Sequence, residues 1–340
     1  MSDHLILVTG ISGFIAKHCA LELLRHGYAV RGTVRHRAKG DETRATLSRH
    51  GDTSRLSFVE ADLLDDAGWA AAMQGVHGVL HLASPFPRNP PKQADELVRP
   101  AVDGTLRVLR AAVAAGVPRV VQTSSMAAVF GGRLGAGRPP LTEEDWTDTN
   151  SRGISAYTLS KTLSERAARD FVRSHGDALH FSTVNPGFVL GPVLDQDIGT
   201  SAEVIQMFLR GKYPGTPRLW FSVVDVRDVA RMHRLALESG LPSGGRYLGV
   251  SEVLRFIEIA RPIREQLGAA ARKVPTRELP DLLVRLIALV DQPVRSIVPD
   301  LGLPFAVDNS RTRRELGIEF IPVRQSAPAM ASSLIALGLA

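Results

Sequence analysis

Residues 5–24 read LILVTGISGFIAKHCALELL. An apolar β-type run, LILVTG, gives way to a helical pattern that ends near Arg25, and at the junction Gly10, Gly13 and Ala16 form G-x-x-G-x-x-A. Small residues at a strand-to-helix turn let the backbone approach a pyrophosphate, while the helix N-terminus offers unpaired N–H groups and the positive end of its dipole. Glycines that merely make a tight turn would leave a similar trace, and the spacing departs from the usual G-x-G-x-x-G. The position of the motif, after the first strand and before a helix, is what favours a dinucleotide.

Working outward, β-type runs alternate with helical patterns: YAVRGTV at 28–34, LSFVEADL at 56–63, HGVLHLA at 77–83, a helix around 95–115, RVVQTSS at 119–125, a helix from 155, and LHFSTVNPG at 179–187. Strands alternating with helices predict an α/β fold, a doubly wound parallel sheet of Rossmann type covered on both faces. After Pro186 the pattern changes to Gly/Pro-punctuated segments, a helix near 201–210, the strand-like WFSVVDV at 220–226 and a helix from Arg227. The predicted division gives residues 1–186 and about 220–238 to the dinucleotide-binding domain. Residues 187–219 and 239–340 then form a smaller mixed substrate-binding lobe over the carboxyl ends of the strands.

The chain has 340 residues, 44% of them hydrophobic, enough for a large core. Its net charge of +6 comes from 41 basic and 35 acidic residues spread along the chain, which argues against nucleic acid and leaves room for one anionic ligand. The single cysteine, Cys19, can form no internal disulfide and falls in a helical pattern, where a small apolar role is expected; no metal site can be built around it. The longest apolar runs, LIALV at 286–290 and LIALGLA at 334–340, are too short to span a bilayer, and no basic leader precedes the first strand. A cytoplasmic protein without membrane or nucleic-acid partners, monomeric or homodimeric, is expected.

The second strand should end near Val34, where NAD-specific folds present an acid to the ribose. Here Arg35, Arg37 and Lys39 precede the first acid, Asp41, and a cationic cluster at that place suits a 2′-phosphate, although a solvated basic loop would look the same. Asp62 and Leu63, past the third strand, sit where an adenine edge would pass. The stretch SAYTLSKTLSERAARDF at 155–171 puts Tyr157 and Lys161 one helical turn apart, beside the apolar row Leu159, Leu163, Ala167 and Phe171. Ser125 ends the fifth strand. A hydroxyl, a phenol and an ammonium group beside a dinucleotide make a proton-delivery site, since a phenol titrating near ~10 needs a cation to exchange protons at neutral pH.

The set TGISGFIA, LHLASPF, TSSMAAVF, YTLSK, VNPGFVLGP, VDVRDVA and DNSRTRRELGIEF resembles the extended short-chain dehydrogenase/reductase superfamily, from about residue 5 to 325. Within it the chain is most similar to the dihydroflavonol-reductase-like group, which includes yeast methylglyoxal reductases and microbial carbonyl reductases. The resemblance implies NADPH as cofactor and catalytic roles for Ser125, Tyr157 and Lys161, with Ser125 rather than Ser124 preceding Met126. It implies cofactor contacts at Gly10, Ser12, Gly13, Phe14, Ile15, Arg35, Lys39, Asp62, Leu63, Leu82, Ala83, Thr123, Tyr157, Lys161, Pro186, Val189 and Ser201. Where relatives often carry an Asn in the helix near 100–105, this chain has Asp103. His77 and His81 read as strand-end or core histidines, and Asp225, Arg227 and Asp228 as a salt-bridged turn.

The expected activity is reduction of an aldehyde or ketone, with rival readings as a hydroxysteroid-type dehydrogenase, a nucleotide-sugar epimerase or a non-catalytic NADP sensor. Phe86, Phe130, Phe188 and Trp220, at strand ends or just beyond, are predicted to line a pocket for a neutral, bulky small-molecule carbonyl substrate, or else to pack the lobe interface. Arg133 and Arg138, in GGRLGAGRPP, are candidate partners for a substrate carboxylate.

Overall fold

The computed structural model describes residues 4–85, 93–131, 134–151 and 153–340. Phe86 and Arg133 lie outside the described residues. Among the described residues, ten strands run in the order β1 (Leu5–Thr9), β2 (Ala29–Val34), β3 (Leu56–Glu60), β4 (Val76–His81), β5 (Arg119–Thr123), β6 (His180–Pro186), β7 (Phe188–Leu190), β8 (Trp220–Asp225), β9 (Gly245–Gly249) and β10 (Glu252–Arg255). Seven of them form one parallel sheet in the spatial order β3-β2-β1-β4-β5-β6-β9. The strand order reverses at β1, whose Leu7 pairs with Arg31 of β2 on one side and Val79 of β4 on the other. Outside the carboxyl ends at that reversal, sheets of this type open a ligand crevice.

The named helices that matter for the site are α1 (Phe14–Arg25), α2 (Arg37–Leu47), α3 (Trp69–Met73), α4 (Asp95–Ala114), α5 (Ala127–Phe130), α6 (Ala156–Ser174), α7 (Thr200–Arg210), α8 (Val226–Glu238) and α9 (Phe256–Leu267). Alternate residues of the strands go to opposite faces. Val8, Leu80, Val121 and Val184 pack with Ala16, Cys19 and Leu23 of α1 and Val229 and Met232 of α8. Leu7, Val79, Val120 and Phe181 pack with Val108, Leu109 and Ala112 of α4 and Ala168 of α6. With both faces covered, the strands read as near-continuous apolar runs, which is why they were legible. Side chains cap the helices that carry and face the site: Ser155 Oγ accepts from Thr158 N at 3.0 Å at α6, and Asp225 Oδ1 accepts from Arg227 N at 2.8 Å at α8. Asp225 also takes both Nε and Nη2 of Arg227, at 2.8 and 2.7 Å, so the expected salt-bridged turn is also the cap of α8.

A three-stranded sheet, β10-β8-β7, backs the lobe, with β8 parallel to β7 and antiparallel to β10. Its core joins Ile205 and Phe208 of α7, Ile259 and Ile263 of α9, and Met330 and Leu334 of the helix Val323–Ala336. The boundaries drawn from the sequence meet two strands placed otherwise. Gly245–Gly249, allotted to the lobe, is the edge of the large sheet beside β6, and Trp220–Asp225, allotted to the dinucleotide-binding domain, is the middle of the small sheet. Which sheet a strand joins is set by its hydrogen-bond partner far along the chain, a fact that no local pattern carries. Among the described residues, no helix is long and apolar enough to cross a membrane.

Candidate active site

The turn between β1 and α1 is held close to the neighbouring strand ends. Gly10 has φ +62°, and a Cβ there would fall 3.0 Å from Ala83 Cα and 3.1 Å from Ala83 Cβ. The turn is fixed by Gly10 N donating to Thr33 Oγ1 at 2.9 Å, while Leu82 N and Ala83 N donate to Thr9 Oγ1 at 3.0 and 2.9 Å. Gly13 is the N-cap of α1 without a side-chain cap, and the first turn holds no acid. The start of α1, with Ser12, Phe14 and Ile15 at the junction, therefore keeps a dipole that no cap or acidic side chain compensates, as an anion requires. The cradle is one a single Cβ would fill, and it fits a pyrophosphate.

Beyond β2, Arg35 is exposed, and it forms no ion pair among the described residues. Lys39 is engaged with Glu42 at 3.1 Å and with Asp197, from the loop before α7, at 3.4 Å. The second partner, distant in sequence, was not foreseen. Asp62 Oδ1 accepts from Leu64 N at 3.0 Å, turning the chain after β3, and Leu63 packs against Gly104 of α4. Thr123 Oγ1 lies 2.7 Å from His233 Nε2. Pro186 ends β6 and lies against Gly249. Ser201 Oγ donates to Val189 O at 2.5 Å, so these two expected cofactor residues are joined directly.

Ser125 follows β5, and Tyr157 and Lys161 lie on the first turns of α6. The structure brings Ser125 and Tyr157 into hydrogen-bond contact. Tyr157 remains 37% exposed. Burial raises the phenol above its ordinary value, and the bond from Ser125, which favours the phenolate, works the other way. Burial pushes Lys161 down to about 8, against the attraction of Glu165 one turn further on. His81, buried at the end of β4 with Nδ1 2.9 Å from Thr9 Oγ1, is held down to about 3 by burial and by the Lys161 ammonium, so it is a neutral core histidine. Asp103 lies on the exposed face of α4 and takes no part in this cluster.

The two adjacent serines part company. Ser124 is 3% exposed, and its Oγ donates to Glu165 Oε2 at 2.5 Å on the α6 side. Ser125 turns its hydroxyl to Tyr157 and also accepts from Ala127 N at 3.1 Å. Sequence reasoning missed Glu165 and its partner Arg246, although Tyr157, Lys161 and Glu165 recur every four residues, which is the one signal that pointed there.

On the substrate side, Phe130 ends α5 and meets Phe305 at 5.8 Å between ring centroids, a partner the sequence did not suggest. Phe188 meets Phe221 at 5.2 Å, and the contacts continue through Phe256 to Phe208 in the lobe core. Trp220 opens β8 half-buried, paired with Arg255 of β10. Gly135 N donates to Pro304 O at 3.1 Å, which ties the segment carrying Arg138 to the one carrying Phe305.

A parallel sheet with an uncapped helix start at its reversal point is a Rossmann-type fold, the class that holds dinucleotides at such a crevice. Residues 6–248 match the model of the NAD dependent epimerase/dehydratase family, and the chain belongs to that family, in its extended short-chain dehydrogenase/reductase branch. Cinnamoyl-CoA reductase 1 of Oryza sativa subsp. japonica is 35% identical over 327 residues, covering 95% of this chain and 88% of that protein. Ketoreductase azaE of Aspergillus niger is 33% identical over 337 residues, covering 93% of each. The fold also matches yeast methylglyoxal/isovaleraldehyde reductase Gre2 complexed with NADPH, with a TM-score of 0.82, 25% identity, and coverage of 99% of this chain and 100% of that one.

Proposed function

We propose that this protein reduces an aldehyde or ketone to an alcohol with NADPH, and that Tyr157 is the proton donor. The observation that carries the reading is the contact of Ser125 with Tyr157, one turn from Lys161, beside the uncapped start of α1. The names of the ketoreductase and of the yeast reductase, the latter with NADPH bound, support the reaction type and the cofactor. When bound, NADPH would supply the hydride that adds to the carbonyl carbon.

The Ser125 hydroxyl orients the carbonyl oxygen, and the Tyr157 phenol gives that oxygen its proton. The Lys161 ammonium, one turn along α6, stabilises the phenolate left behind until solvent returns the proton. The turn from Gly10 to Gly13 and the N–H groups of Ser12, Phe14 and Ile15 hold the pyrophosphate, while the Gly13 N–H closes the turn on Gly10 O; Leu82, Ala83, Thr123, Pro186, Val189 and Ser201 line the rest of the cofactor, with Asp62 and Leu63 at the adenine. Arg35 carries the larger share of 2′-phosphate binding, because Lys39 must first loosen from Glu42 and Asp197. The pocket takes a neutral, bulky carbonyl compound against Phe130, Phe188 and Trp220, with Phe305 beside Phe130 as a further candidate lining residue.

The test is NADPH oxidation across aldehydes, aryl ketones, diketones and flavonoid-like ketones, with a cinnamoyl thioester added because of the rice relative's name. Turnover with NADPH and weaker turnover with NADH is expected. No oxidation with any carbonyl compound, together with tightly retained NAD, would favour an epimerase instead.

A further inference from the structure

We propose that Glu165 is a positioning residue of the active site: its buried carboxylate ties the end of β5, which carries Ser125, to α6, which carries Tyr157 and Lys161. This rests on the reading of Ser125, Tyr157 and Lys161 given above.

Glu165 is fully buried. Its Oε1 accepts from Arg246 Nε of β9 at 2.8 Å, from Arg169 Nε of α6 at 3.1 Å and from Thr183 Oγ1 of β6 at 3.2 Å. Its Oε2 accepts from Ser124 Oγ at 2.5 Å and from Asn185 Nδ2 of β6 at 2.8 Å. The two guanidinium groups would suffice to make the carboxylate acceptable in the interior. The bonds from Ser124 and Asn185 do something further. Ser124 is the chain neighbour of Ser125, and Asn185 Nδ2 also donates to Ser125 O at 3.2 Å. With Ser124 N donating to Val184 O at 2.8 Å and Met126 N to Pro186 O at 2.9 Å, the backbone on both sides of Ser125 is held to β6 and, through Glu165, to α6.

The carboxylate is therefore the cross-link that fixes Ser125 relative to Tyr157. Arg246 extends it toward the substrate side: its guanidinium donates to Ala128 O at 3.1 Å and Glu143 O at 2.9 Å and lies 3.9 Å over the Trp146 ring. Of the charged and titratable groups near Lys161, Glu165 is the negative one, and His81 on β4 is neutral. A group that sets the spacing of reacting atoms changes the rate without touching the substrate, because small misplacements of such atoms cost heavily.

A double-mutant cycle separates this role from a merely structural one. Glu165→Gln keeps the volume and removes the charge, and we expect kcat to fall about tenfold to a hundredfold while NADPH binding, read by fluorescence titration, stays near that of the wild type. In a Ser125→Ala background the same substitution should cost little further, since residues that act as a unit are non-additive. The alkaline fall of kcat should also move to lower pH in Glu165→Gln, as Lys161 loses its opposite charge, and return in Glu165→Asp. If Glu165→Gln does not fold, Ser124→Ala and Asn185→Ala leave the carboxylate with both arginines and enter the same cycle, each with a several-fold loss that vanishes in the Ser125→Ala background. Equal fold-losses in both backgrounds with an unmoved pH profile would overturn the proposal and leave Glu165 as a structural ion. Full turnover in Ser125→Ala itself would overturn the underlying reading of Ser125 as well, and the two failures are distinct.

Discussion

Under α6 the interior holds Glu165, Arg246, Ser124, Thr183 and Asn185, all buried and joined by hydrogen bonds. In the lobe the interior holds Ile205, Phe208, Ile259, Ile263 and Met330, joined by dispersion and by ring contacts that run out to Phe188. A polar interior has few low-energy arrangements, because each donor must find its acceptor, so it fixes groups to fractions of an ångström. An apolar interior accepts changes of shape as long as volume is kept. Proton delivery needs the first kind of support, and a pocket for varied carbonyl compounds can be built on the second. Substitutions near α6 should therefore act on kcat, and those around the pocket on substrate choice.

The largest effect should come from Lys161→Ala. Loss of the ammonium should lower turnover by ~10²-fold or more, the usual size of acid–base assistance, and weaken NADPH as well, since the same group would serve the phenol and the ribose. Turnover lost with cofactor affinity unchanged would show that Lys161 serves Tyr157 alone. Next, Arg35→Ala should cost about tenfold to a hundredfold in kcat/KM with NADPH and little with NADH, from roughly 1.5 to 3 kcal/mol per charge-assisted phosphate contact. Equal losses with both cofactors would make Arg35 a support of the fold.

The pH profile follows from Lys161, pushed down to about 8 by burial. The ammonium is present below that value and lost above it, so kcat should hold through neutral pH and decline as pH rises through the region of 8. A profile flat well beyond it would mean that Lys161 keeps its proton or is not needed. The smallest effect concerns the pocket. An unpaired buried carboxylate is costly, so an aryl 2-keto ester should be preferred over its free acid by about tenfold in kcat/KM, the factor that corresponds to ~1.4 kcal/mol. Preference for the acid would turn attention to Arg138 in the segment held to Pro304.

Legibility in the sequence divides along the same line. The turn Gly10–Ile15 and the Tyr157/Lys161 pair could be read because each is local: a strand-to-helix junction, and a spacing of one helical turn. Six strands of the large sheet could be read because burial on both faces leaves apolar runs, whereas the edge strand β9 could not. The choice between Ser124 and Ser125 could not, since it depends on which way each side chain leaves the end of β5, and a resemblance had to decide it. Arg246 meets Glu165 from 81 positions along the chain, and Asp197 meets Lys39 from the lobe loop; such pairs leave no local trace. Phe188 was open between lining a pocket and packing the lobe, and its contact with Phe221 shows that it at least packs.

The measurement that bears most directly on the central claim is Tyr157→Phe, assayed with NADPH and the best carbonyl substrate beside a titration of NADPH binding. Removing the phenolic hydroxyl while keeping the ring should lower kcat by at least ~10²-fold and leave NADPH affinity nearly intact. Near-wild-type turnover in a correctly folded Tyr157→Phe would contradict Tyr157 as the proton donor.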